Sequence, residues 1–315
     1  MVEPILKWAG GKRQILDAIK ESLPPKEDVN RYHEPFVGGG ALFFDTAPHP
    51  PGSTINDINT RLISFYKVVD ERPKELIQKL RDFKPPNATP DPNREYSDED
   101  WNGGEVDNYY YQQRELFNRR PRGEDFDKVE EAALLLYLNR TCYNGLYREN
   151  NSGEFNVPIG RHSSANWVMA DRIRQASKVL SDIEMFNEDF NYIKKNAKSG
   201  DLVYFDPPYE PVSRSSSFVE YHHSAFGTEQ QERLRDTALE LARNDVWVVI
   251  SNSPPMEELY DVFDEFIIHD IGAKRQINSV ASDRDEVQEI IVTNVPENNR
   301  REKLKKLDSW MEPEA

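Results

Sequence analysis

The chain has 315 residues, enough for one large domain or two moderate ones. It carries 56 Asp and Glu against 40 Lys and Arg, a net charge of −16, which taken alone argues against nucleic acid, because DNA binders need a basic footprint. Acid spread over a whole surface is also a solubility device in high salt, so a salt-loving source is expected and local basic patches are more informative than the total. One cysteine, Cys142, excludes an internal disulfide and reads as a core or loop thiol in a reducing, cytoplasmic compartment. No long apolar run marks a transmembrane span, and the opening Met-Val-Glu-Pro lacks the basic and apolar parts of a signal peptide.

In chain order, the first informative stretch is Ile5-Leu6-Lys7-Trp8-Ala9-Gly10-Gly11-Lys12-Arg13. Ile15, Ile19 and Leu23 then recur at helical spacing until Pro24-Pro25. Gly10-Gly11 is thus expected as a tight turn into a helix start, where Lys12 reaches a ligand carboxylate; the alternative is a buried Trp8 with a solvated Lys12. Next, Glu34-Pro35-Phe36-Val37-Gly38-Gly39-Gly40 lies between a short strand and an apolar helix, and its glycines let backbone approach a ligand closely. Ser53-Thr54-Ile55-Asn56 reads as a second strand ending at Asp57. An acid about 20 residues beyond such a loop binds ribose hydroxyls in βαβ nucleotide sites, which implies an adenosine-type ligand.

Helical patterns follow over Leu62, Phe65, Tyr66 and Val69, and over Leu76, Ile77 and Leu80. Residues 84–107 are rich in Pro, Asn, Asp and Glu and read as a solvated loop or insertion. Residues 109–117 and 129–138 look helical again, with the basic Arg119-Arg120-Pro121-Arg122 between them. In residues 139–161, Asn-Gly and Ser-Gly turns among β-prone residues predict a β-hairpin with loops. Arg140, Arg148 and Arg161 interleave there with Tyr143, Asn144 and Tyr147. Arginines contact phosphates and guanines, asparagine reads adenine, and an aromatic or Leu146 wedges between bases. Acids are sparse in this stretch, which favours a nucleic-acid surface over an ordinary hairpin.

Residues 183–186 predict a third strand ending at Asp189-Phe190, an acid and a ring suited to covering an adenine. A fourth, Leu202-Val203-Tyr204-Phe205, delivers Asp206-Pro207-Pro208-Tyr209. Two prolines cannot continue a sheet ladder, so the backbone leaves the sheet there, at the strand end where open α/β sheets bind ligands. Asp206 and the Pro207 carbonyl can each accept one N–H of a ring-bound amino group, while Tyr209 stacks on the ring. Tyr221-His222-His223 lacks a third ligand at metal spacing, and no metal is expected. Thr228-Glu229-Gln230-Gln231 reads as a capping box opening a helix with Leu234, Ala238 and Leu241 on one face. Strands are predicted at 246–250, 266–268 and 289–292, a basic spot at 274–278, and a frayed helix from Pro296.

Together these motifs, in shared order and spacing nearly end to end, resemble the Dam-type adenine-specific DNA methyltransferases, whose donor is S-adenosylmethionine. The resemblance implies a Rossmann-like α/β catalytic domain over residues 1–68 and 176–315. It also implies an inserted helical and β-hairpin DNA-recognition domain over residues 69–175. Trp8, Lys12 and Asp57 would hold the cofactor, with Asp206 at its methionine end, and Phe36, Gly38, Gly40, Asp189 and Phe190 would line the same pocket. Lys7, Tyr143, Asn144, Leu146, Arg148 and Pro158 match positions such enzymes use to read GATC. The acidic stretch 84–107 and the charge balance depart from the family pattern. The implied reaction flips an adenine from duplex DNA into the pocket, where Asp206, Pro207 and Tyr209 present its 6-amino group, without metal and in a monomer. The alternatives are another amino acceptor (cytosine N4, RNA adenine or glutamine) and a catalytically silent DNA-binding protein. The exact recognition sequence and a partner restriction enzyme stay open.

Overall fold

The computed structural model describes residues 2–8, 12, 15–90, 108–119, 127–161, 165–208, 226–274 and 286–300. Seven strands make one sheet in the order β3-β2-β1-β4-β5-β7-β6. They are β1 (Tyr32–Glu34), β2 (Thr54–Asn56), β3 (Glu184–Phe186), β4 (Leu202–Phe205), β5 (Trp247–Asn252), β6 (Ile267–Lys274) and β7 (Glu286–Thr293). With its helices this is the Rossmann-like α/β architecture that the resemblance implied. Packing divides the chain into two compact units: Met1–Lys12 with Phe36–Phe190, and Arg13–Pro35 with Asn191–Ala315.

In the first unit β2 and β3 pair in parallel, Ile55 opposite Met185. Helix α2 (Ala41–Thr46) follows the glycine loop, and α3 (Thr60–Glu71) is capped by Asn59, whose side chain accepts the Leu62 N–H. α3, α4 (Pro73–Arg81) and α5 (Tyr109–Asn118) pack on α6 (Lys128–Thr141), and α7 (Ala170–Leu180) packs on α3 and α4. α6 is apolar on every side from Ala132 to Leu138 and correspondingly buried throughout, the pattern of a central helix. Residues 84–90 are pinned to this core: the Tyr137 hydroxyl donates to the Lys84 carbonyl, and the Tyr109 and Tyr110 amides donate to Ala88 and Pro86. The acidic remainder, 91–107, lies outside the described residues.

In the second unit β1, β4 and β5 run parallel, with Tyr32 opposite Leu202 and Leu202 opposite Trp247. β7 enters antiparallel between β5 and β6. α1 (Leu16–Glu21), α8 (Ile193–Asn196) and α9 (Thr228–Arg243) belong to this unit. At the amino ends of β1 and β4, Arg31 donates to both Asp201 oxygens (2.6 and 3.3 Å), and His33 Nε2 lies 3.1 Å from the same carboxylate.

Several expectations are corrected. The 139–161 stretch begins as the last turn of α6, because the apolar run carries the helix through Asn139 and Arg140 to Thr141. Its Asn-Gly pair forms a 3-10 turn with Asn144 left-handed at φ 55, while the expected antiparallel arms turn at Ser152-Gly153: the Asn150 N–H donates to the Glu154 carbonyl, the Asn156 N–H donates to the Arg148 carbonyl, and Cys142 with Ile159 and Glu149 with Phe155 form antiparallel bridges. α1 starts at Leu16, not beside Lys12, and Gly10-Gly11 lie outside the described residues. α9 is entered from Gly227 without a side-chain cap, so the capping box does not form. β5 runs on through Asn252, β6 reaches Lys274, and Glu297–Asn299 is a single 3-10 turn. Arg120-Pro121-Arg122, Tyr221-His222-His223, residues 275–278 and the tail from 301 lie outside the described residues. Among the described residues, no helix is long and apolar enough to cross a membrane, and no cluster of His, Cys, Asp and Glu could hold a metal ion.

Candidate active site and nucleic-acid interface

The first unit holds the glycine loop. The Gly38 N–H donates to Asp57 Oδ2 (3.0 Å) and its carbonyl accepts from the Tyr66 hydroxyl (2.8 Å), so both faces of that residue's backbone are fixed. The other Asp57 oxygen accepts the Asn59 N–H (2.9 Å). Burial pushes the Asp57 carboxyl above its usual range, and the Asn59 and Gly38 amides oppose that shift. Gly38 (φ +46) and Gly40 (φ +67) occupy left-handed backbone, and a Cβ on them would collide with Trp8 Cδ1 (2.8 Å) and the Phe44 ring (2.9 Å). Only glycine meets both demands. The β2 and β3 ends are stitched together: Asn56 Nδ2 donates to the Glu188 carbonyl, the Glu188 N–H donates to Asn56 Oδ1, and Asn187 Nδ2 donates to the Asp57 carbonyl. This brings Phe36 and Phe190 to 5.3 Å between ring centroids, with Asp189 exposed.

The same unit carries the arginine- and asparagine-rich stretch. Asn139, buried at the end of α6, accepts the Lys7 N–H (2.9 Å) and donates to the carbonyls of Lys7 (2.7 Å) and Gly145 (3.2 Å). One amide thereby fixes the Lys7 backbone against the Tyr143–Gly145 turn. The Tyr143 N–H donates to the Pro158 carbonyl, and Arg148 Nε donates to Asn156 Oδ1. Lys7, Tyr143, Asn144, Leu146, Arg148, Pro158 and Arg161 are all exposed, whereas Arg140 is half-buried. Tyr147 points the other way. Its ring stacks on Trp8 (4.8 Å, 18° between planes) and its hydroxyl donates to Glu149, itself 3.5 Å from Arg61. Burial first, then the Glu149 carboxylate, raises the Tyr147 phenol, which stays neutral. Tyr147 is therefore half-buried as support for Trp8, unlike its exposed neighbours Leu146 and Arg148. Cys142 is a buried thiol, pushed up to about 11 by burial.

The second unit holds the fourth strand's end. β4 is fully buried, Asp206 is half-buried, Pro207 buried and Pro208 exposed. The Tyr204 and Ser251 hydroxyls share a hydrogen bond of 2.5 Å between β4 and β5. Burial, then the charge of Asp206, keeps the Tyr204 phenol neutral. The Pro208 carbonyl accepts from Gln231 Nε2 (3.3 Å), whose Oε1 accepts from Asn252 Nδ2 (3.0 Å). Pro207 and Pro208 have no N–H, so the backbone here offers acceptors alone.

The profile of the D12 class N6 adenine-specific DNA methyltransferases matches residues 8–277. The chain is 40% identical over 297 residues to the Type II methyltransferase M1.LlaDCHI of Lactococcus lactis subsp. cremoris, covering 93% of this chain and 95% of that one. It is 35% identical over 299 residues to the Type II methyltransferase M.MjaIII of Methanocaldococcus jannaschii (93% and 99% covered). It is 36% identical over 293 residues to the DNA adenine methylase of Escherichia coli (92% and 95% covered). The chain belongs to the D12 class of N6 adenine-specific DNA methyltransferases.

In this methyltransferase the structure brings Trp8, Gly38 and Asp57 into one hydrogen-bonded and packed group, with Gly40 in the same loop and Phe36 against Phe190. Lys12 is 5% exposed, which removes the solvated alternative. Tyr209 lies outside the described residues. Sequence reasoning missed Asn139, Tyr66 and Gln231 as organising residues. A signal existed for the last: Gln231 falls on the stripe of Leu234, Ala238 and Leu241, where a polar side chain is buried and must find partners.

Proposed function

We propose that this methyltransferase transfers a methyl group from S-adenosylmethionine to the 6-amino group of an adenine flipped out of double-stranded DNA, within the sequence GATC. The observation that carries this reading is that Asp206 leaves the end of β4 with two prolines that have no N–H, so a carboxylate and adjacent backbone carbonyls are offered to an amino group bearing two N–H bonds.

The first unit's residues fit such a cofactor. Each Asp57 oxygen accepts one backbone N–H and keeps lone-pair capacity for a ribose hydroxyl, and the glycines leave backbone open where a side chain would intrude. Trp8, Lys12, Phe36, Gly38, Gly40, Asp57, Asp189, Phe190 and Asp206 would hold it, and when bound it supplies a methyl group on an electrophilic sulfonium. The chain's own part is positioning and electrostatics. Asp206 and the Pro207 carbonyl each accept one amino N–H, which turns the nitrogen lone pair out of the ring plane. As the nitrogen gains positive charge the same two acceptors stabilise it, a preorganised contribution of about 3 kcal/mol. Tyr209 stacks on the base.

Residues 69–175, with Lys7, would read the target. The exposure of Lys7, Tyr143, Asn144, Leu146, Arg148, Pro158 and Arg161 supports this, since together they offer base-edge donors and an apolar wedge; Arg140 would support the phosphate contacts from α6. The test uses tritiated S-adenosylmethionine with GATC duplex, GATC-free duplex and GATC-containing RNA. Transfer to adenine in the first alone is expected, and Asp206→Ala should keep DNA binding while losing roughly 100-fold or more in turnover. Methylated cytosine, or equal labelling of the GATC-free duplex, would overturn the assignment.

A further inference from the structure

Gln231 is completely buried, on the apolar face of α9, and burying an amide is costly unless its groups are bonded. Its bonds belong to a directional chain. The Ser253 N–H donates to Asn252 Oδ1 (2.9 Å), Asn252 Nδ2 donates to Gln231 Oε1 (3.0 Å), and Gln231 Nε2 donates to the Pro208 carbonyl (3.3 Å). A backbone donor at one end and a backbone carbonyl at the other leave neither amide free to flip. Asn252, at the end of β5, is equally buried.

The chain ends on the segment leaving β4. Neither Pro207 nor Pro208 can donate, so the backbone of these two residues hydrogen-bonds only through its carbonyls. On the functional reading above, the Pro207 carbonyl serves the adenine amino group, which leaves the Pro208 carbonyl for the protein. We propose that Gln231 is a positioning residue for methyl transfer: by tying the Pro208 carbonyl to the end of β5, it holds Asp206 and the Pro207 carbonyl at the place the target amino group must occupy. This rests on that reading of the site. The Tyr204–Ser251 bond is a second tie between the same two strands and fixes β4 before the corner; Gln231 fixes the chain after it.

The test compares Gln231→Met and Gln231→Glu with wild type, measuring kcat and KM for tritiated S-adenosylmethionine on GATC duplex across pH, with melting temperatures alongside. A misplacement of about 1 Å lowers rate by roughly 100-fold, so Gln231→Met should lose about 10- to 100-fold in kcat with KM for the donor within about twofold. Gln231→Glu provides a signature that packing alone would not. Ionised, it accepts from Asn252 but repels the Pro208 carbonyl; protonated, it donates to that carbonyl and still accepts from Asn252. Burial raises such a carboxyl, so kcat of Gln231→Glu relative to wild type should climb about tenfold from about pH 8.5 to about pH 6. If Gln231→Met fails to fold, the Gln231→Glu ratio decides by itself. Wild-type kcat in Gln231→Met, or a Gln231→Glu profile parallel to wild type, would overturn the inference. A wild-type enzyme that methylates no adenine would instead overturn the functional reading beneath it.

Discussion

The Gly38 N–H and the Asp57 carboxylate, 19 positions apart, meet at 3.0 Å, so the glycine loop and the end of β2 are one structure held by one side chain. Asp57→Ala removes that tie and the Asn59 bond together. Hydrogen bonds to a charged group are worth about 1.5–3 kcal/mol, so donor affinity should fall roughly 10- to 100-fold, read by isothermal titration with S-adenosylmethionine. pH acts with a defined sign. Because burial raises the Asp57 carboxyl, wild-type KM for the donor should begin to climb, as pH falls, above the ordinary carboxylate range. For folding the sign is opposite to that of a paired acid: the stability Asp57 contributes is present below its unfolded pKa and lost as pH rises through its folded one. A donor KM flat down to the ordinary carboxylate range would contradict this.

Gly145 adopts φ +67, and a Cβ there would lie 2.9 Å from Lys7 Cβ, with the rest of the Lys7 side chain also in the way. Gly145→Ala should therefore displace Lys7 and strain the turn, costing about 1–2 kcal/mol of stability. A well-placed base contact gives about 1–3 kcal/mol of discrimination. The ratio of kcat/KM on GATC to that on duplexes altered at single positions should shrink roughly 5- to 100-fold at one position. Unchanged discrimination in a folded variant would remove Lys7 from the reading set.

Asp201 is buried among partners. Burial alone would raise its carboxyl, but hydrogen bonds from His33, Arg31 and the Lys198 N–H outweigh it and the net position is below the usual range. Its contribution is thus present above the unfolded carboxylate pKa and lost as pH falls through the lower folded one. Asp201→Ala takes the carboxylate away from Arg31 and His33, leaving Arg31 its bond to the Asn196 carbonyl, and should cost about 3 kcal/mol near neutrality, with the gap to wild type narrowing in acid. Urea denaturation from about pH 7 down to about pH 3 measures it; a gap constant with pH would mean the loss is one of packing.

What the sequence conveyed depended on whether partners were near in the chain or implied by periodicity. β4 was legible because Leu202-Val203-Tyr204-Phe205 is apolar and ends in two prolines. The Gly38–Asp57 relation was legible through its spacing. In the 139–161 stretch the antiparallel turn at Ser152-Gly153 was legible, whereas Asn144-Gly145 forms a 3-10 turn fixed by Asn139, whose partner Lys7 lies 132 positions away. Tyr147 sits among arginines in sequence, yet alternation along an extended chain sends it inward to Trp8. The box at Thr228 was overridden because Gln231 is engaged by Pro208 and Asn252, 23 and 21 positions distant.

The two successive prolines after Asp206 have a consequence for turnover. A primary amine satisfies a carboxylate and a carbonyl at once, but after methylation and loss of a proton the nitrogen keeps a single hydrogen. One of the two oxygens then faces a methyl carbon, and with no neighbouring N–H on Pro207 or Pro208 to compensate, leaving it unmatched costs about 1–3 kcal/mol. On the proposed reading, the corner that captures the unmodified base holds the modified one less well by about that amount, which favours release of product.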